Sequence, residues 1–196
     1  RGFIVRATQT TKANMANHAG PYSGPKDNNM TLPLDIAKAL LPTIKRSHKA
    51  GRYGMDNILH VPHAPIGEWD GSQYVATDGH VAVIVDTTTP APTTEPTHYE
   101  YASVVAVVAT KGVVPAPWVP GSGGFPDWKQ CIPTTSTSVD AIGVNLALLD
   151  TAFKVHKALK LSAEAHWTAT FSGDLGPIVL EPMSIKHDTI TRVRVV

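Results

Sequence analysis

Apolar and polar residues follow a helical period in two separate parts of the chain. In the first part, residues 32 to 49, the apolar residues share one arc of a helix and the lysines share the opposite arc. The apolar positions include Ile36, Leu40 and Ile44, and the lysines are Lys38, Lys45 and Lys49. Pro42 interrupts this pattern, because proline removes a helical hydrogen bond and clashes with the preceding turn. The pattern therefore predicts a helix that bends or breaks near Pro42.

The second helical pattern begins at Asn145, a residue type that caps helix N-termini well, and runs to about Lys160. Its apolar arc is broad, and its polar stripe contains one acidic and two basic side chains. The apolar residues are Leu146, Leu149, Ala152, Phe153, Val155 and Leu159, and the stripe is Asp150, Lys154 and Lys157. This segment is the second predicted helix.

Strands are indicated by runs rich in β-branched residues that end at turn residues. The strongest signal predicts a hairpin, in which residues 74 to 76 and 81 to 85 flank an Asp78-Gly79 turn. Further strands are predicted at residues 57–61, 99–110, 165–171, 176–183 and 189–196, with a proline-containing loop at 87–97.

These elements predict an α+β fold with two similar halves. Residues 1–30 are rich in Asn, Gly, Thr and Pro, and are predicted to form an irregular arm. Residues 31–196 are predicted to form one domain, in which halves 31–111 and 125–196 are joined by a Pro/Gly-rich linker. Each half is a helix with antiparallel strands, so the chain contains a weak internal repeat.

The net charge of the whole chain says little about its function, but one segment of the chain is strongly basic. The formal net charge is +1, so the chain as a whole does not resemble a basic nucleic-acid-binding protein. Residues 31–52, in contrast, contain five basic residues against one acidic residue. The single cysteine, Cys131, excludes an intramolecular disulfide and fits a reducing compartment. With no apolar run near 18 residues and no signal-peptide pattern, we expect a soluble cytoplasmic protein without a membrane partner.

Sequence motifs for catalysis are weak. A metal site could be built from His60, His63, Asp78 and His80, since imidazole and carboxylate groups are common zinc ligands. No HExxH motif or cysteine pair supports it. The chain has no GxSxG or GxxxxGK[ST] motif, and Cys131 has no base nearby in sequence. We therefore expect no enzymatic activity and no cofactor, with a metal-dependent hydrolase as a minor alternative.

Three strings resemble the bacterial DNA sliding clamp, the β subunit of the replicative polymerase, and occur in the order found in that family. Residues 76–80 (ATDGH) match a family string, residues 125–133 (FPDWKQCIP) are similar to FPDYRRVLP, and residues 142–150 (IGVNLALLD) are similar to IGFNVSYVLDVL. The tail at 191–196 resembles the start of the family's last strand. The resemblance implies a DNA-clamp-like domain, in which two helix-plus-antiparallel-sheet halves are related by a pseudo-two-fold axis.

The resemblance also implies which residues meet partners. Clamp helices face duplex DNA through sequence-independent phosphate contacts. The implied DNA-binding residues are Lys38, Lys45, Arg46, Lys49, Lys154 and Lys157. The alternative for these side chains is an ordinary solvated helix face.

Clamps bind extended peptides of polymerases and other factors in an apolar pocket. The positions of this chain that match the pocket are Thr77, Gly79, His80, Val81 and Pro133. Val81-Ala82 stands where the family has Arg-Leu, and a hairpin alone would also account for the Asp-Gly turn.

The function expected from the resemblance is a replication accessory protein that tethers a polymerase or another factor to duplex DNA. A single domain cannot encircle DNA, so this function requires a homo-oligomer. The alternative is a clamp-type domain that serves as a non-ring binding or structural module, including a mimic of a clamp.

Overall fold

A computed structural model describes residues 32–52, 54–62, 71–91, 93–113, 116–132, 145–162, 166–171 and 177–196. The predicted arm at 1–30, Pro133 and residues 142–144 of the string at 142–150 lie outside these ranges. Within the described residues, no helix combines the length and the apolar character that a membrane crossing would need.

Three helices lie in the described part of the chain: α1 (Leu34–Lys49), α2 (Tyr101–Ala109) and α3 (Leu146–Ala158). Helix α1 packs against both other helices. It is continuous through Pro42, so of the two predicted outcomes, a bend or a break, the helix does not break there. Pro42 is only half-buried, opposite the arc that packs on the sheet, where the loss of one backbone hydrogen bond disturbs packing least.

The strands form one eight-stranded antiparallel sheet, which together with the helices confirms the α+β class. The strands are β1 (Asn57–Pro62), β2 (Ser72–Thr77), β3 (Ala82–Thr87), β4 (Thr97–Glu100), β5 (Val119–Pro120), β6 (Trp167–Phe171), β7 (Ile178–Pro182) and β8 (Ile190–Val195). Their order is β5-β4-β1-β2-β3-β8-β7-β6. The predicted hairpin is confirmed as β2 and β3, with Thr77 opposite Ala82.

One predicted strand is wrong. Residues 99–110 were expected to form a single β segment, but only β4 is extended and the valine-rich remainder is α2. Val104 and Val107 of α2 are buried, whereas Val105 is exposed, which is a helical and not an alternating pattern. Packing on α1 therefore overrides the β propensity of valine.

The predicted linker, residues 112–124, contributes an edge strand to the sheet, and the segment after it packs on one face. Its β5 pairs with β4, and a 3₁₀ helix at Trp128–Cys131 follows. Phe125 and Trp128 are buried.

The sheet has a separate apolar cluster on each face. Alternate residues of the strands, such as Tyr74, Val83 and Val85, join the apolar arcs of the three helices. Their neighbours, such as Val75 and Ile84, pack with Phe125 and Trp128 on the opposite face. Because side chains alternate across a strand, the two clusters lie on opposite sides of one sheet. The helices therefore cover one face and the 125–132 segment covers part of the other.

Strands β3 and β8 join the two halves into this single sheet. Their register places Ile84 opposite Arg194. The Arg194 guanidinium is buried and lies 3.0 Å from a carboxylate oxygen of Asp86 on β3. This ion pair links the halves at the centre of the sheet.

Candidate peptide pocket and nucleic-acid interface

The turn between β2 and β3 is closed by its own side chains. The Asp78 carboxylate accepts hydrogen bonds from the backbone N–H groups of His80 and Val81, each at 2.9 Å. The Thr77 hydroxyl donates to the Val81 carbonyl and accepts from the N–H of Gly79. Gly79 has a φ of 83°, the left-handed region in which glycine is favoured. The sequence Thr-Asp-Gly-His thus specifies one rigid turn.

The C-terminal end of α1 holds this turn from the helix side. The Ser47 hydroxyl donates to the Thr77 carbonyl at 2.8 Å, and Nε of Arg46 donates to Asp78 at 2.5 Å. Arg52, just after the helix, contacts the Asp78 carbonyl and lies 3.1 Å from Nε2 of His80. Burial alone would raise the pKa of Asp78, but the hydrogen bonds from Arg46 and the turn backbone outweigh it and lower that pKa. Asp78 is therefore an anion that joins helix and turn.

An apolar pocket of about 310 Å³ opens beside this turn. Four of the five residues predicted for peptide binding line it, namely Thr77, Gly79, His80 and Val81, and the fifth, Pro133, lies outside the described residues. The opposite wall comes from the segment that resembles FPDYRRVLP. The structure thus brings together two strings that lie about fifty residues apart in sequence.

Several residues of this pocket were missed from the sequence. Met55, Pro126, Trp128 and Val196 complete the apolar wall. Pro126 and Trp128 could have been found, because they belong to the matching string. Met55 carries no sequence signal, since only the fold brings it to the turn, whereas Val196 belongs to the tail that resembles a strand of the family.

A second cavity of about 610 Å³ lies on the other side of the turn and shares His80, Val81 and Val196 with the pocket. Charged side chains line it, including Arg46, Asp150 and Lys154. An extended ligand of several residues could cross the turn with apolar groups in the pocket and polar groups in this cavity.

The lysines predicted for DNA are exposed on the helix layer. Lys38, Lys45 and Lys49 project from α1 on the side away from its buried arc, and Lys157 is exposed on α3. Lys154 is exposed as well and pairs with Asp150 at 2.6 Å. Because α1 and α3 pack side by side, these lysines belong to one layer.

Arg46, the sixth predicted DNA contact, is placed differently from the lysines. Its guanidinium binds Asp78 and reaches the Thr43 hydroxyl at 3.5 Å. Its side chain is 40% exposed, so one side remains open to solvent while the other fastens the turn.

The residues considered for a metal site serve other contacts. Among the described residues, no group of three or more His, Cys, Asp and Glu side chains could hold a metal ion. His60 is fully buried, stacks on Tyr74 with ring centroids 4.1 Å apart, and bonds the Ser72 hydroxyl at 2.7 Å. Asp78 is bonded to Arg46 and the turn backbone. His63 lies outside the described residues.

Comparison with protein-family models, with curated proteins and with solved structures finds no match to this chain.

Proposed function

We propose that this protein is a sliding-clamp-like accessory factor, built as a DNA-clamp-like domain whose two halves are related by a pseudo-two-fold axis. Several copies would hold duplex DNA on their helix layer and an extended peptide of a polymerase or another factor beside the 77–81 turn. The observation that supports it most is the placement of the two predicted sites. The lysines lie on the helix layer, and the apolar pocket is lined by Trp128 and Val196 of the cluster on the other face.

The chemistry of the helix layer suits loose binding of duplex DNA. Lys38, Lys45, Lys49 and Lys157 offer mobile point charges without the planar geometry that reads bases. Contacts of this kind go to phosphates, carry no sequence information and weaken with salt. A tether needs such contacts, because it has to move along DNA while its assembly prevents dissociation.

The chemistry of the pocket suits an extended apolar peptide. Met55, Val81, Trp128 and Val196 can take up one or two aliphatic or aromatic side chains. Polar groups at the rim, including Asp127, can fix the direction of the peptide. Since the turn is already fastened by Asp78, binding would cost little ordering of the protein.

The DNA interface is tested by the double substitution Lys45→Glu and Lys49→Glu. Each lysine that contacts a phosphate adds about 0.9 to the slope of log affinity against log salt. We expect duplex binding to weaken and the slope to fall by about 2. Lys186→Glu, at an exposed position between β7 and β8, is the control. Unchanged binding and slope in the double variant would refute this interface.

The pocket is tested with an acetylated, amidated hexapeptide that carries Leu and Phe at alternate positions. We expect it to shift the indole N–H resonance of Trp128, and we expect Met55→Glu to abolish that shift. Lys186→Glu, at an exposed position away from the pocket, is the control. A peptide response that survives in Met55→Glu would place binding elsewhere. Peptide binding without any DNA binding would favour the non-ring module instead.

A further inference from the structure

A cavity of about 740 Å³ lies at the end of the sheet where β1 begins and β4 ends. Its walls come from the end of α1, the turn before β1, the start of α2 and Gly123 of the linker. It shares no described lining residue with the apolar pocket beside the 77–81 turn. The cavity is therefore a second, separate place where a ligand could bind.

Two polar side chains that line this cavity are buried and incompletely paired. Asn57 is 8% exposed and His98 is 7% exposed. Nδ1 of His98 donates to the Gly121 carbonyl at 3.0 Å, so Nε2 of the neutral ring presents a lone pair. Among the described residues, neither this Nε2 atom nor the Asn57 carboxamide forms a hydrogen bond. Because buried polar groups are normally paired, these two indicate a polar ligand.

Gly123 leaves room beside both of these groups. A Cβ atom at this position would lie 2.8 Å from Nδ2 of Asn57 and 3.0 Å from Nε2 of His98, closer than an ordinary contact. Gly123 also has a φ of 61°, in the left-handed region that favours glycine. A larger residue would therefore fill the space next to the two polar groups.

The charge of the cavity favours a cation. Glu100 is exposed and forms no hydrogen bond or ion pair within the described residues. The Asp56 carboxylate is held at the cavity wall, because it accepts from the N–H of Gly54 at 3.2 Å and lies 2.9 Å from Nδ1 of His48. The described lining contains these two carboxylates and no lysine or arginine. No described set of His, Cys, Asp and Glu side chains suits a metal ion, so an organic cation fits better.

The aromatic side chains of the cavity favour a planar cation. His48 stacks on Tyr101 with ring centroids 4.1 Å apart, and the His48 side chain is 44% exposed. A guanidinium can stack on such a ring while its N–H groups donate to carboxylates, whereas an ammonium group has no plane to stack. Val105, which is 37% exposed at the same cavity, offers an apolar contact for the methylene groups of an arginine.

We propose that this cavity binds an arginine side chain of a partner protein. The guanidinium stacks on His48 and donates hydrogen bonds to Glu100 and to Nε2 of His98. Arginine has five N–H donors and no acceptor, which matches a site made of carboxylates and a histidine lone pair. This site goes beyond the proposed function, because its occupation requires neither DNA nor the apolar pocket.

The test is an NMR titration with the peptide acetyl-Gly-Ser-Arg-Ser-Gly-amide, followed through the ring resonances of His98 and Tyr101. A peptide with citrulline in place of arginine is the control, because citrulline keeps the length and the planar end group but carries no charge. A third peptide carries lysine at the same position. We expect saturable shifts with the arginine peptide, weaker binding of the lysine peptide and no binding of the citrulline peptide.

Variants of the protein locate the site. Glu100→Gln removes the free carboxylate at an exposed position and should weaken binding of the arginine peptide about fivefold. Glu95→Gln makes the same change at an exposed position outside the cavity and should leave the affinity unchanged. Ala102→Glu adds a carboxylate at the cavity, on an exposed position of α2, and should tighten binding. Gly123→Ala should abolish binding, because its methyl group occupies the space beside Asn57 and His98.

Several results would overturn the inference. One is the absence of any shift with the arginine peptide, and another is equal binding of the arginine peptide and either the citrulline or the lysine peptide. Equal affinities of Glu100→Gln and Glu95→Gln, or no tightening in Ala102→Glu, would also overturn it. These three substitutions are at exposed positions, so the test does not depend on the folding of Gly123→Ala, and circular dichroism verifies the fold of each variant.

Discussion

The two halves of the sheet differ in how completely they are covered. All residues of β2 and β3 are buried, and seven of the sixteen residues of α1 are buried. In the second half, no residue of β6 is fully buried, and α3 exposes Leu146, Leu149 and Phe153. The first half is therefore covered more completely, whereas the outer strand and the helix of the second half leave more of their surface exposed.

The largest expected effect is at the junction between the halves. Asp86→Ala leaves the buried Arg194 guanidinium without its strongest partner, and removal of one member of a buried ion pair costs about 3–5 kcal/mol. We expect that loss in the free energy of unfolding measured by urea titration. The double variant Asp86→Leu, Arg194→Met is the control and should recover most of it. A loss below about 1 kcal/mol in Asp86→Ala would show that the pair does not link the halves.

The second effect compares the two helices directly. Ile44 of α1 is fully buried, whereas Leu149 of α3 is 44% exposed. Truncation of a buried isoleucine to alanine costs about 2–5 kcal/mol, so Ile44→Ala should lower the unfolding free energy by about 3 kcal/mol. Leu149→Ala should cost less than about 1 kcal/mol, because that side chain is already partly in water. Equal losses at the two positions would contradict the difference between the halves.

A third prediction concerns pH and the first half. Burial lowers the pKa of His60 to about 4, below its ordinary value of 6.5. The unfolded chain therefore takes up a proton before the folded chain does, and stability that is present above pH 6.5 is lost as the pH falls towards 4. We expect a loss of about 2 kcal/mol between pH 7 and pH 5. His60→Leu should flatten the curve in that range, because the titrating imidazole is removed. The Ser72 hydroxyl is not left unpaired in this variant, since it donates to the Thr89 carbonyl. An equally steep curve in that variant would assign the effect to another group.

Local signals explain what could be predicted from the sequence. The Asp78-Gly79 turn predicted the β2–β3 hairpin because both residues act within the turn itself. The Asn145 cap predicted the start of α3, where its side chain accepts a hydrogen bond from the N–H of Ala147. Features that depend on residues far apart in the sequence were harder to predict. Helix α2 was missed because valine favours strands in isolation, although Tyr101, Val104 and Val108 already have helical spacing.

In the candidate sites, too, residues with a local sequence signal were predicted and residues placed by distant contacts were not. The turn residues of the pocket were predicted by resemblance, since their string is short and continuous. Met55 was not predicted, because only the packing of the turn after α1 brings it to the pocket, and Val196 was recognised only as part of a strand-like tail. Likewise, the lysine stripe was evident from periodicity, but the attachment of Arg46 to Asp78 depends on the packing of α1 beside the turn.

The carboxylate of Asp78 makes the pocket and the helix layer parts of one mechanical unit. It is bonded to the turn backbone through one oxygen and to Arg46 through the other. Arg46 is next to Lys45 in the helix, so one carboxylate joins the turn that lines the pocket to the helix end that carries exposed lysines. If a peptide binds beside the turn, force on that peptide would reach the helix through Asp78 and not through a flexible loop.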